Sequence, residues 1–144
     1  MKTSRVKTLR VLAIIMLVAL GVQYELGMQF IISNPEPITP FPFSLPAVSD
    51  ALHGVGLVAV VHAAWGGLLL AFSLVILVVA MLSRVRAAQV FGVLGFLSIV
   101  FAALGGLLFV LSGFQDDSNS HNMASNLLLS FTFYFLEVYV LKGK

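Results

Sequence analysis

Three histidines, His53, His62 and His121, are the side chains here best suited to holding a metal, and their spacing sorts them. His62 lies 22 residues before Arg84, and His121 lies 21 residues before Lys142. On helices rising ~1.5 Å per residue, the two imidazoles stand about 33 Å and about 31 Å above those basic residues. His53 is nine residues further out, about 13 Å higher, and half a turn out of phase with His62. Two level imidazoles on facing helices are the axial pair a haem iron takes, and helix-bundle cores hold such cofactors. His62 and His121 are therefore candidate metal ligands, with a haem as the candidate cofactor. Gly66 follows His62 by one turn, and Gly105-Gly106 fall in the same outer half of another apolar stretch. Glycines there let a macrocycle approach the backbone, making Gly66, Gly105 and Gly106 candidate cofactor-binding positions. They serve equally well as close contacts between membrane helices. The histidines have a plain alternative too, as interfacial polar residues bonded to loop carbonyls.

Glu25 is the candidate catalytic residue. It stands 15 residues after Arg10, about 22 Å up and below the histidine layer, with Gln29 one turn higher on the same face. A carboxyl at that depth is expensive without a partner. It could relay protons or hydrogen-bond a polar substrate group beside a haem, or simply bond to Gln29. Glu137, five residues before Lys142, is expected to snorkel or pair near the membrane surface. Trp65, Tyr24 and Tyr134 read as packing or interfacial residues.

The elements that must carry these residues follow from composition. The chain has 144 residues, 60% hydrophobic and 10% charged, with a mean hydropathy of +1.06. Soluble domains carry about a quarter charged residues, so an ordinary globule, a disordered tail and a nucleic-acid-binding module are excluded. The absence of cysteine removes disulfides, zinc-thiolate sites and thiol chemistry. Phosphate loops, catalytic triads, metalloprotease motifs and nucleotide fingerprints are missing as well.

Crossing a bilayer takes roughly 20 mainly apolar residues. Four stretches qualify, at about 11–32, 51–82, 87–113 and 121–141. The first follows four basic residues like a signal peptide, but its apolar run is too long and lacks a cleavage site, so a retained span is expected. All eight Lys and Arg fall at Lys2, Arg5, Lys7 and Arg10, at Arg84 and Arg86, and at Lys142 and Lys144. The connections 33–50 and 114–120 have none. The positive-inside rule then puts both termini in the cytoplasm. The expected fold is all-α, a single domain over 1–144 forming an integral four-helix bundle in the plasma membrane. All five prolines lie in 33–50, which reads as an extended segment over the outer face, either a lid with Phe41 and Phe43 packing downward or simply a stiff linker between two spans. Ser120 is the expected N-cap of the last span.

Three segments resemble haem A synthases. His62-Ala63-Ala64-Trp65-Gly66-Gly67-Leu68-Leu69 is similar to that family's histidine-bearing second helix. The run from Phe101 through Gly105-Gly106 to Gly113 is similar to its third helix. His121-Asn122-Met123-Ala124 is similar to the start of its fourth. Members have eight helices in two four-helix halves, so this chain resembles one half. The resemblance implies that His62 and His121 ligate haem, and that haem O is oxidised to haem A. Ala59 and Ala63 replace the family's usual glutamate and arginine, and its outside-loop cysteines are missing, which resembles the half holding a haem b. Three functions remain open: a half-size synthase-like enzyme working as a homo-oligomer, a small b-type cytochrome beside respiratory oxidase components, and a cofactor-free accessory subunit. Lipid is the surrounding partner in each.

Overall fold

The computed structural model describes residues 2–32 and 36–143. Among the described residues it is all-α, with five helices: α1 (Lys2–Ile32), α2 (Leu45–Val55), α3 (Leu57–Leu82), α4 (Arg86–Leu111) and α5 (Asp117–Val140). Four of them, all but α2, are long and apolar enough to cross a membrane. The four long helices form a ring in the order α1, α3, α4, α5, with α5 closing back on α1 and α2 lying against α3 and α4. Among the described residues, α3 and α5 make no close backbone approach, so they stand diagonally opposed.

The core reads as one stripe per helix. Leu9, Met16 and Leu20 from α1, Ile76 from α3, and Tyr134 and Leu141 from the α5 end are essentially inaccessible. The outside of the bundle is also apolar: Val18, Leu68, Leu128, Phe135 and many like them stand open. A chain that is hydrophobic all round has the surface of a membrane protein, because in water such an area would drive aggregation.

Helix ends differ from the sequence expectation at four points, each for a local reason. The second stretch is not continuous from 51 to 82. Gly56 takes φ 121°, ψ 179°, conformations open to glycine, and splits it into α2 and α3. The proline-rich connection is not wholly extended either. Pro46 sits in the first turn of α2, where no N–H is needed, and Ser44 caps that turn by accepting from the Ala47 N–H at 3.2 Å. The third stretch ends at Leu111, because Gly113 at φ 68° turns the chain away. The last helix begins at Asp117, and its cap is Asp116 rather than Ser120, accepting from the Ser118 N–H at 2.9 Å and from Asn119 Nδ2 at 2.7 Å. His121 therefore lies one turn inside α5. Of the basic and proline positions read from the sequence, Pro35 and Lys144 lie outside the described residues.

Residues 36–44 do run non-helically across one end of the bundle. The Ile38 N–H donates to the Gly113 carbonyl at 3.1 Å, and Gln115 Nε2 donates to the Ile38 carbonyl at 2.8 Å. This strap packs down through Ile38, which joins Phe30, Phe109 and Phe114 in a second small core. Phe43 stands open at 60% exposure and Phe41 is half-buried, so that aromatic pair is not what seals the end.

Candidate functional site

His62 is half-buried between α3 and α1, directly beneath the aromatic cluster under the strap. Its ring stacks on Phe30, with centroids 6.3 Å apart and planes 19° apart. Phe30 in turn meets Phe114 at 5.8 Å and Phe109 at 6.5 Å. Gln23 Nε2 lies 3.2 Å from His62 Nε2 and 3.4 Å from Nδ1, donating to whichever nitrogen carries the lone pair. Gln23, Gly27 and Phe30 recur at helical spacing on one face of α1 and together form the wall that His62 meets. Gly27 lets the ring approach this closely, since a Cβ there would sit 3.3 Å from His62 Cε1 and push the ring back by a few tenths of an ångström. One turn further along α3, Trp65 Nε1 donates to the Ala19 carbonyl at 3.0 Å. The two bonds from Gln23 and Trp65 fasten α1 to α3 through polar atoms that a hydrocarbon environment would leave unsatisfied.

The other sequence candidates fall elsewhere. His121 is exposed, on the helix diagonal to α3. It is two residues from both Asn119 and Met123, whose backbones pack against Gly105 of α4. At about 100° per residue, His121 points roughly opposite to that contact, out of the bundle. Glu25 is exposed as well. Its carboxylate accepts from Gln29 Nε2 at 3.1 Å, the neighbouring pair the sequence offered. It lies two residues beyond Gln23 and two before Gly27, hence on the far face of α1 from His62. His53 is exposed in the last turn of α2.

The glycines are occupied by protein. A Cβ on Gly66 would meet Gln23 Nε2 at 3.4 Å, and one on Gly106 would meet the Met123 sulfur at 3.3 Å. One on Gly105 would meet the Asn119 carbonyl oxygen and the Met123 nitrogen, both at 3.1 Å. These positions bring helices together. No group of three or more His, Cys, Asp or Glu side chains is placed to hold a metal among the described residues. A haem held between His62 and His121 does not fit this arrangement, since one imidazole faces α1 and the other faces outward.

Glu137 also departs from the sequence expectation. It does not snorkel: its exposure is 0%, and neither carboxyl oxygen has a hydrogen-bond partner among the described residues. Its Oε1 lies where it would meet a Cβ on Gly92 at 3.4 Å, and Tyr134 one turn earlier fills the space left by Gly95. The small residues Gly92 and Gly95, three apart on α4, were the available signal. They mark the face against which α5 presents Tyr134 and Glu137.

Comparison with known protein families, curated proteins and solved structures finds no match to this chain.

Proposed function

We propose that the protein is a four-span integral subunit of the plasma membrane, with both termini cytoplasmic, which works by assembling with other transmembrane helices. One observation carries this. The polar side chains in the outer half of the bundle divide by direction: His62, Gln23 and Trp65 turn inward and bond within the chain, whereas Glu25, Gln29 and His121 turn outward. Outward polar groups at membrane depth are costly against lipid and become favourable against another helix. In this reading His62 is a clasp between α1 and α3.

The orientation follows from the basic residues and is tested with reporters. One fused after Lys144 should be cytoplasmic, and one inserted between Asp117 and Ser118 should be outside; the reverse would overturn the four-span arrangement. The similarity to haem A synthases at His62 and His121 supports a rival reading as a haem protein, and a reduced-minus-oxidised spectrum of purified protein decides between them. The assembly reading expects no haem absorption. A low-spin b-type spectrum lost in both His62→Ala and His121→Ala would refute it.

A further inference from the structure

The outward polar groups of α1 and α5 match in height. Counting ~1.5 Å per residue from Arg10, Glu25 stands about 22 Å up and Gln29 about 28 Å. Counting from Lys142, Ser125 stands about 25 Å up and His121 about 31 Å. All four are exposed, Glu25 and Gln29 one turn apart on α1, His121 and Ser125 one turn apart on α5. Their chemistry is complementary. At the matched heights the Glu25 carboxylate can accept from the Ser125 hydroxyl, and the Gln29 amide can pair with the His121 imidazole. Every copy of the chain in a membrane has the same orientation, so these heights coincide between neighbouring copies without adjustment. Another protein would have to supply a matching donor at the same depth; a second copy already carries one. The two faces continue with open apolar side chains suited to packing, Val22 and Met28 on α1, Leu128 and Phe135 on α5.

We propose that the chain self-associates head to tail, the Glu25–Gln29 face of α1 in one protomer docking on the His121–Ser125 face of α5 in the next. The contact is heterologous, so it closes into a ring if the rotation between copies permits. It rests on the four-span reading above, and it names the partner that reading leaves open.

The absence of cysteine makes the test clean. Val22 and Leu128 are exposed on the two faces, about 18 Å and about 21 Å above their basic anchors. Differently tagged Val22→Cys and Leu128→Cys chains, co-expressed and oxidised in native membranes, should cross-link to each other in preference to either self-pair. Glu25→Ala or His121→Ala should lower that yield about three- to tenfold, the range expected for one interhelical hydrogen bond in a membrane. Glu25→Gln, which keeps an acceptor, should restore most of it. Unchanged Trp65 emission in each variant would show that the fold survives. Self-pairs alone, or a mixed cross-link indifferent to Glu25 and His121, would overturn the interface. Failure of the reading beneath it is separate: it would show as the 117–118 reporter appearing inside, whatever the cross-links do.

Discussion

Adding one methyl group to Gly105 tests whether the glycines of α4 are contact points between helices. A Cβ at Gly105 would stand 3.1 Å from the Asn119 carbonyl oxygen and 3.1 Å from the Met123 nitrogen. Ordinary contact begins near 3.4 Å, and both neighbours are backbone atoms of α5, which cannot rotate aside. Relief must come from opening the α4–α5 separation by a few tenths of an ångström along a tightly packed seam. Overpacking of this kind costs about 1–3 kcal/mol. Gly67 is the control, because a Cβ there meets nothing within 4 Å and α3 should gain from better helix propensity, at most about 1 kcal/mol. The assay is reversible unfolding in mixed micelles, followed by helical circular dichroism and by emission from Trp65, the single tryptophan. Gly105→Ala should be destabilised and Gly67→Ala should be equal to the parent or better. Equal stability of Gly105→Ala and the parent would refute the close-contact account. So would a Gly67→Ala protein as unstable as Gly105→Ala.

Gln23→Leu removes the donor that faces His62 and should destabilise the α1–α3 pair by about 1–3 kcal/mol, read as earlier unfolding with a shifted Trp65 emission. Gly113→Ala should loosen the strap, because φ is +68° there and a Cβ would collide with the Ile38 carbonyl; limited proteolysis between 36 and 44 should quicken, with α-helical content unchanged. Glu137→Met keeps the volume and removes two buried oxygens that have no hydrogen-bond partner among the described residues. It should raise stability by about 1–3 kcal/mol, and a loss in the same unfolding assay would show that the carboxyl has a partner essential to the fold.

The four long helices were legible because length and hydropathy alone determine them. Even the misplaced ends came from single residues whose geometry overrides a hydropathy window. Gly56 breaks a continuous apolar run, and Asp116 outcompetes Ser120 because its carboxylate reaches both the Ser118 N–H and the Asn119 amide. Pro46 was misread because proline is excluded from helix interiors yet welcome in a first turn.

The site was less legible, and the reason is geometric. Counting residues from a basic anchor gives height along a helix but not the direction in which a side chain points. His62 and His121 stand nearly level by that count, yet one turns toward α1 and the other away from the bundle. Direction is fixed by neighbours: Gln23, Gly27 and Phe30 draw His62 inward, and the Gly105 contact on the opposite side of α5 turns His121 out. The acids reverse in the same way. Glu25, expected below the histidine layer and within reach of a haem, sits two residues out of phase with the α1 face that meets His62 and bonds to Gln29 instead, while Glu137, expected at the surface, is carried inward by the glycines of α4. In a bundle whose outer surface is as apolar as its core, hydrophobic periodicity cannot tell one face from the other. Small residues and their large or polar opposites carry that information instead: Gly27 with His62, Gly95 with Tyr134, Gly105 with the α5 backbone.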